Sequence, residues 1–522
     1  MLRKVQLAAI ALSGAILLFA VVLVIAEFSW VQKEPVSPQD YFLYGSTGTE
    51  LMPLPVFQVL PELFPEQFQP AGVDAGDWVD QFGFVRGTTT VNADLPLGLN
   101  VSRFRPQSGA PSPIDFVGFN CAVCHTARIR RSDSDAGPIV YGMANSSLDL
   151  VAFGDAIKTA ILDEQRLTLA AIDSAYKARF GKGLGPLDEI VIRYWLSQVR
   201  RTLASQMALR DLPFSGLDLR NPDLLPSGPG RNQPMRETVR FLLQRTPTPD
   251  GGSSKIPCLY QQQRREWAQF DGSIRDPITR NSLAALGVGA SIYNLRQPGI
   301  LHTLQKAYDY LLHLEGPRYA SVFAERASID AVRAQRGSAV YAQYCAECHG
   351  SPQAETQVWT RGRRQGEVIP VSEVGTDPAR VSFRYYSSLA QVTFEFFPPG
   401  HPLKPLAGDL RPRGNDAHGF ITAPLESLFS RAPYLHNGSV PTLAELINLK
   451  PRRSVFYRGR NLPDLVDVGL LVTDQPDAQR YFRFDTQRYG NGNRGHDYPW
   501  AYHSPGWSKA ALTDLLEYLK TL

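Results

Sequence analysis

Two copies of the pattern C-x-x-C-H stand far apart in the chain, as CAVCH at residues 121–125 and CAECH at residues 345–349. Two thiols at this spacing lie near one turn of helix and can add to the two vinyl groups on one edge of a porphyrin, and the histidine that follows supplies the iron with its fifth ligand. The pattern therefore predicts two covalently bound haem c groups with His125 and His349 as iron ligands. The predicted attachment residues are Cys121, Cys124 and His125 for the first haem, and Cys345, Cys348 and His349 for the second.

Two other chemistries of paired cysteines explain the pattern less well. A four-cysteine zinc site leaves the histidine after each pair unexplained, and the two pairs lie much farther apart than those of zinc ribbons. A thioredoxin-like pair needs a βαβ setting, and no strand followed by a helix is evident around Cys121 or Cys345. The fifth cysteine, Cys258, is left without a partner and is interpreted as a buried thiol.

The N-terminal segment contains one long apolar stretch, from Val5 to Ala26, preceded by Arg3 and Lys4. Such a stretch can cross a hydrocarbon core of about 30 Å as a helix, and the basic residues favour a cytoplasmic N-terminus. We therefore expect a membrane anchor at residues 1–30 and a single-pass protein of the inner membrane, with its haem domains on the periplasmic side. A cleaved signal peptide is the alternative, disfavoured by the length of the stretch and the lack of a clear cleavage motif.

At 522 residues the chain exceeds what one hydrophobic core usually serves. We therefore expect two domains, at residues 31–327 and 328–522, each with one C-x-x-C-H motif. The 42 glycines and 40 prolines indicate long irregular connections. The expected fold class is mainly α, with two cytochrome c-like haem domains and one preceding transmembrane helix.

Apolar periodicity predicts helices within residues 148–210 and over 301–314. The segment IDAVRAQRGSAVYAQYCAECHG, at residues 329–350, resembles an N-terminal cytochrome helix that runs straight into its haem motif. A last helix is predicted after Ser508, a plausible N-cap, and we expect it to cross the helix before the second motif. Residues 35–110 are expected to form loops and short helices rather than a sheet. His302 and His313, on the 301–314 helix, are interpreted as structural.

The net charge of +4 is too small for a chain of this size to indicate a nucleic-acid partner. Arginine-rich segments at residues 361–364 and 452–460 are interpreted as solvated faces. The alternative is that some of these arginines pair with haem propionates or dock an acidic redox partner.

The sixth iron ligand of the second haem cannot be a methionine of its own domain, because no methionine follows that motif. The five methionines of the chain are Met1, Met52, Met143, Met207 and Met235. A histidine, a tyrosine or an open position remains. The candidate histidines are His401, His418, His436, His496 and His503.

Four segments resemble corresponding stretches of rubber oxygenases and their relatives, a group related to dihaem cytochrome c peroxidases and to the dihaem enzyme that matures methylamine dehydrogenase. The segments are YGSTGTE at residues 44–50, DGSIRDPITRNSLAALGVGA at 271–290, RAPYLHNGSVPTLAELI at 431–447 and GNGNRGHDY at 490–498. The resemblance covers most of the chain after the N-terminal segment.

This resemblance implies that His349 and His496 are the two axial ligands of an electron-transfer haem, with His436 close to it and as the alternative ligand. At the first haem it implies His125 as the proximal ligand and an opposite face open to dioxygen or peroxide. Trp267 and Phe270, just before the shared DG motif, are candidates for the lining of that pocket, with a core role as the alternative.

The expected function is electron transfer by an exported dihaem c-type cytochrome, acting as an oxidoreductase of cytochrome c peroxidase type. One alternative is a haem-dependent oxygenase resembling rubber oxygenases, and another is a non-catalytic, membrane-tethered electron carrier. The expected partners are a redox protein or a small electron donor, with peroxide or dioxygen as oxidant. No catalytic residue is assigned.

Overall fold

The computed structural model describes residues 2–29, 35–68, 78–87, 95–106, 108–110, 112–132, 135, 137–208, 227–233, 252–324, 326–353, 358–382, 395, 397–401, 404, 406, 419–459, 461–474, 482–498 and 508–522. Its helices, α1 to α18 in order, are Leu2–Ser29, Pro38–Tyr44, Leu54–Leu63, Pro65–Phe68, Trp78–Gln81, Cys121–His125, Leu150–Leu162, Leu169–Phe180, Pro186–Ala208, Pro277–Gly287, Ile292–Leu295, Pro298–Leu312, Tyr319–Phe323, Ala331–Tyr344, Ala346–His349, Val371–Val374, Leu443–Leu446 and Lys509–Leu519. Its strands, β1 to β15, are Glu50–Pro53, Leu99–Ser102, Phe116–Phe119, Thr126–Arg128, Ile139–Tyr141, Arg231–Asn232, Ser254–Lys255, Ser351–Pro352, Trp359–Thr360, Val368–Pro370, Gly419–Ile421, Val455–Arg458, Pro463–Asp464, Gly469–Leu470 and Phe482–Asp485.

An antiparallel three-stranded sheet precedes the first motif. Strand β3 lies in the middle and pairs with β1 on one side and β2 on the other. All four residues of β3 are buried, so its sequence FVGF lacks the alternation that reveals a half-exposed strand. The expectation of no sheet in residues 35–110 is therefore wrong, and a strand does lead into the first motif.

The helices predicted within residues 148–314 are confirmed. Residues 148–210 contain α7, α8 and α9, and α12 covers most of the predicted 301–314 segment. Asp149 and Thr168 cap α7 and α8 by accepting hydrogen bonds from backbone N–H groups of the first turns. Together with the sheet, α7 and α9 enclose an aromatic core around Phe153, whose ring centroid lies 4.8 Å from that of Phe84. Val123 of the first motif packs in the same core.

The predicted crossing of the helix before the second motif and the C-terminal helix is also confirmed. Asp330 caps α14, and Ser508 caps α18 by accepting from the N–H of Ala511. The two helices pack against each other, and Arg336 on α14 forms an ion pair with Asp514 on α18 at 2.7 Å. Gly337 permits the close crossing, because a Cβ there would lie 2.0 Å from the carbonyl oxygen of Asp514.

The expected fold class is wrong. Short sheets accompany the helices along the chain, and the first motif follows a β-strand rather than a long cytochrome-type helix. Within the described residues the two motifs thus stand in different surroundings, and two cytochrome c-like haem domains are not seen. The boundary between residues 327 and 328 stays a prediction.

The predicted membrane anchor is a second correction. A bilayer crossing needs about 20 consecutive, mostly apolar residues in one helix. Within the part of the chain that the structure describes, no helix combines the length and the apolar character required. The transmembrane helix and the inner-membrane, single-pass location inferred from it are therefore wrong.

Candidate functional site

The second motif continues directly from the helix that precedes it. The N–H of Cys345 donates to the carbonyl of Tyr341, and that of His349 donates to the carbonyl of Cys345 at 2.9 Å, so the chain stays helical through the motif. Tyr341 is fully buried and its hydroxyl donates to the carbonyl of Gly350 at 2.7 Å, which closes the turn after the motif. Cys345, Cys348 and His349 therefore face a common space.

The ring of His349 is oriented by one backbone hydrogen bond. Its Nδ1 lies 2.7 Å from the carbonyl oxygen of Ala423, and because a carbonyl only accepts, Nδ1 carries the proton. The other ring nitrogen is then left with a lone pair. Metal-bound histidines usually have this arrangement, in which the second nitrogen donates to a carbonyl or carboxylate.

His496 lies across from His349. The two ring centroids are 6.1 Å apart and the ring planes are inclined by 46°. A metal ion bound about 2 Å from a nitrogen of each ring separates the ring centroids by roughly 6 Å. Nδ1 of His496 is buried and has no hydrogen-bond partner in the described part of the chain, so the backbone hydrogen bond that orients His349 has no counterpart at His496. The pair thus fits a bis-histidine iron site.

The backbone around His496 is held by several contacts. His496 has a positive φ of 52°, and its N–H donates to the carbonyl of Val374 at 2.6 Å. The preceding Gly495 passes so close to Gly375 that a Cβ would lie 2.1 Å from its carbonyl carbon. The guanidinium of Arg452 donates to the carbonyls of Asn493 and Gly495. These contacts fix the position of the ring rather than leaving it on a free loop.

A cavity of about 440 Å³ separates the two rings and reaches both thiols of the motif. Apolar and aromatic side chains form much of its wall, which suits a flat, largely apolar cofactor. The wall residues that matter here are Phe270, Cys345, Cys348, His349, Ile369, Phe420, Leu435, His436, His496 and Tyr498.

Both candidate ligands are neutral at ordinary pH. Burial lowers the pKa of both rings, and the pKa of His496 falls to about 3 because the neighbouring ring of His349 and the guanidinium of Arg452 also disfavour a positive charge there. A neutral imidazole is the form that binds a metal ion.

His436 lies in the same cavity but is engaged differently. Its ring stacks on Phe420 with centroids 4.0 Å apart, and its backbone carbonyl accepts from the N–H of Lys255 at 2.9 Å. Burial and the neighbouring cations Arg380, Arg231 and Lys255 lower its pKa to about 3. The structure thus places His436 in the wall of the cavity and His496 opposite His349.

The first motif forms the short helix α6 at the end of β3. Asn120 caps α6, since its side chain accepts from the N–H of Ala122, and its amide donates to the carbonyl of Gly45 at 3.1 Å. Gly98 has a φ of 87° and touches α6, because a Cβ there would lie 2.0 Å from the nitrogen of Val123. Sheet, cap and glycine together fix the direction of the motif.

His125 repeats the arrangement of His349. It is buried, and its Nδ1 donates to the carbonyl of Pro257 at 2.9 Å, which leaves the other nitrogen with a lone pair. Burial and the charge of Arg280 lower its pKa to about 3. Burial also raises the pKa of Cys124 to about 12 and raises that of Cys121. Among the described residues, no histidine ring is paired with His125 as His496 is with His349.

A short segment joins the two sites. The carbonyl of Pro257 accepts from His125, and two residues earlier the N–H of Lys255 donates to the carbonyl of His436. Cys258 follows in the same segment, buried as predicted, with its Sγ accepting from the N–H of Ala144 at 3.4 Å. The segment therefore contacts both sites through the backbone.

The segment YGSTGTE supports the first motif. Thr47 and Thr49 donate to the carbonyl of Phe119, and the fully buried Glu50 accepts from Ser46, Ser102 and Asn294. Burial raises the pKa of Glu50 despite these hydrogen bonds. The structural role of Glu50 was not predicted.

Several predicted residues lie elsewhere than expected. Phe270 lines the cavity of the second motif rather than a pocket of the first. Cζ of Arg275 lies 4.8 Å from the centroid of the Trp267 ring. His401 stacks on Phe397, whereas His418 and His503 lie outside the described residues.

The arginine-rich segments are only partly solvated. Arg361 and Arg363 pair on the surface with Glu266 and Glu347, in agreement with the prediction. Arg458, in contrast, is buried and donates to the carbonyls of Pro229 and Ser146, both at 2.8 Å.

The described residues contain no cluster of three or more histidine, cysteine or acidic side chains that could hold a metal ion by themselves.

Two family models match parts of the chain. Residues 419–457 match a family model described as RoxA-like, cytochrome c-like, and residues 38–125 match a Y4iN-like domain. These two segments contain His436 and the whole first motif. The match of residues 419–457 to the RoxA-like model supports a cytochrome c relationship. It also suggests that the chain binds haem c.

Two proteins of Sinorhizobium fredii are similar to the chain. Uncharacterized protein y4iJ is 26% identical over 543 aligned residues, covering 86% of this chain and 85% of the relative. Uncharacterized protein y4iM is 29% identical over 302 residues, covering 51% of this chain and 64% of the relative.

Proposed function

We propose that the protein is a dihaem c-type cytochrome that transfers electrons and acts as an oxidoreductase of peroxidase type. The observation that carries the proposal is the pair His349 and His496, 6.1 Å apart across a cavity that also reaches both thiols of the second motif. Cys345 and Cys348 would hold one haem as thioethers, and Cys121 and Cys124 would hold the other.

The two sites have different roles in this proposal. A haem would supply one-electron redox chemistry and, where one face is open, a site for dioxygen or peroxide. At the second site, His349 and His496 would hold the iron together, and ligation by two histidines would favour electron transfer at a lower reduction potential than His–Met ligation. At the first site His125 would hold the iron, and the side of the haem away from His125 would be left for the oxidant.

The segment from Lys255 to Pro257 supports a relay between the sites, since its backbone hydrogen bonds touch His436 at one end and His125 at the other. The proposed electron donor is a redox protein or a small reductant, and the proposed oxidant is peroxide or dioxygen. Nothing in the charge of the chain favours nucleic acid.

The first test is a count of covalent haem by pyridine haemochrome, combined with low-temperature EPR of the oxidised protein. The proposal predicts two haems per chain, one high-spin and one low-spin. A count below two contradicts the dihaem proposal. Two low-spin signals contradict the open first site and leave a non-catalytic electron carrier.

The second test is His496→Ala, with His436→Ala as the matched control. Both residues line the same cavity, but only His496 lies opposite His349. His496→Ala should abolish the low-spin signal without changing the covalent haem content, and added imidazole should restore it. His436→Ala should retain the low-spin signal. The reverse pattern would show that His436 is the ligand.

A further inference from the structure

Arg280 is a buried cation beside the first motif. It lies on α10, 9% exposed, and its Nη1 donates to the side-chain oxygen of Asn281 at 3.1 Å. Its Nε is buried and has no hydrogen-bond partner within the described part of the chain. Its charge acts on both thiols of the motif and on His125, so the guanidinium lies close to the predicted haem site.

A second buried arginine lies next to it. Arg380 also acts electrostatically on Arg280, and on the other side on His436 of the second site. Arg380 has a counter-charge, since its Nε lies 3.4 Å from a carboxylate oxygen of Asp271, and both side chains are almost fully buried. Among the described residues, Asp271 is thus paired with Arg380, and no ion pair is formed by Arg280.

Burial lowers the pKa of Arg280, and the positive charge of Arg380 lowers it further. The thiols of Cys121 and Cys124 act in the opposite direction, without reversing the effect of burial. A buried guanidinium without a counter-ion is costly, because its hydration is lost and nothing replaces it. The local charge therefore requires an anion that the described side chains do not supply. The planar, forked donors of an arginine suit a carboxylate in particular.

We propose that Arg280 binds a propionate carboxylate of the haem attached at Cys121 and Cys124, with the Arg380–Asp271 pair fixed behind it. This inference rests on the proposed function, since it needs a haem at the first motif. The propionate is favoured over a free anion because the haem is attached beside Arg280 and would bring one carboxylate into the site permanently. Arg280 is a positioning residue in this proposal and contributes no step of catalysis.

The test compares Arg280→Gln, Arg280→Lys and Arg275→Gln. Arg275 is the matched control, because it lies five positions away and is exposed, so its replacement removes the same charge from a solvated position. The measurements are covalent haem content, the reduction potential of the first haem by spectroelectrochemistry, and the propionate bending bands in resonance Raman spectra. None of them depends on enzymatic activity.

Arg280→Gln should lower the potential of the first haem, because loss of the positive charge favours the ferric state. One unit charge acting over about 10 Å at an effective dielectric constant of about 20 changes the reduction equilibrium on the order of tenfold. A tenfold change corresponds to about 59 mV for a one-electron couple. Arg280→Lys should have a potential close to that of wild-type protein, because lysine keeps the positive charge. Its propionate bands should shift, because lysine lacks the planar pair of N–H donors of a guanidinium. Arg275→Gln should change neither.

Three outcomes would overturn the proposal in distinguishable ways. Wild-type protein without haem at the first motif would overturn the proposed function and this inference together. Two haems with no difference between Arg280→Gln and Arg275→Gln would overturn this inference alone. Should Arg280→Gln fail to fold, wild-type protein and Arg280→Lys still decide the question. A wild-type potential that shifts with phosphate concentration, or Raman bands unaltered in Arg280→Lys, would show that a free anion occupies the site.

Discussion

The helices α14 and α18 approach each other closely at Gly337, and Gly337→Ala is expected to be strongly destabilising. The new Cβ would lie 2.0 Å from the carbonyl oxygen of Asp514, 2.5 Å from its carbonyl carbon and 2.9 Å from the nitrogen of Leu515. All three are backbone atoms of α18, so no side chain can rotate away. The helices must separate by more than an ångström, and overpacking of this kind costs about 3 kcal/mol, the upper part of its usual range.

Gly154→Ala is the matched control for this change. Gly154 lies within α7, and a Cβ there would meet nothing within 4 Å. Replacing a helical glycine by alanine in open space stabilises a helix by up to about 1 kcal/mol. The two variants should therefore differ by about 3–4 kcal/mol in the free energy of unfolding.

Urea denaturation followed by far-UV circular dichroism, with absorbance of the haem as a second signal, measures this difference. Because α14 leads directly into Cys345, we also expect Gly337→Ala to broaden the low-spin signal of the second haem. Equal stability of the two variants would refute the helix crossing on which the position of the second motif depends.

Three further changes test the surroundings of the two sites. Burial raises the pKa of Glu50 above its ordinary value of 4.5, so the folded state keeps a proton that the unfolded chain releases, and stability should fall as the pH rises above 4.5. Glu50→Gln should remove this fall, measured as the free energy of unfolding in urea at about pH 5 and about pH 8. The same pH dependence in the variant and in wild-type protein would contradict the prediction. In Gly98→Ala the new Cβ would overlap the backbone of Val123, so the variant should lose about 3 kcal/mol in its free energy of unfolding. It should also reduce haem attachment at the first motif only, measured as haem per chain. Arg452→Ala should increase the high-spin fraction of the second haem in EPR spectra, because the carbonyls of Asn493 and Gly495 lose their charged donor. Each of these hydrogen bonds is worth about 1.5–3 kcal/mol. An unchanged spectrum would show that the backbone before His496 does not need them.

Helices with a clear apolar stripe were predictable from the sequence. The C-terminal helix α18 is an example, since Ser508 caps its start and a periodic apolar face follows, and both signals are local in the chain. The sheet beneath the first motif was missed for the opposite reason. Its central strand is buried on both faces, so its sequence shows no alternation.

The sixth ligand shows how far local sequence reasoning extends. The absence of a methionine after the second motif excluded His–Met ligation within that part of the chain, but five histidines remained. Resemblance to a known family favoured His496. The choice between His496 and His436 depends on which ring lies opposite His349, and that is a property of the fold.

The sequence by itself determined the chemistry that the chain can offer, because the C-x-x-C-H spacing lies within one helical turn and needs no distant contact. The tertiary structure decided how that chemistry is arranged. It brought His496 across from His349, placed Arg280 beside the first motif, and connected the two sites through the segment from Lys255 to Pro257. These contacts join residues far apart in the chain, and the packing that forms them leaves no periodic signal in the sequence.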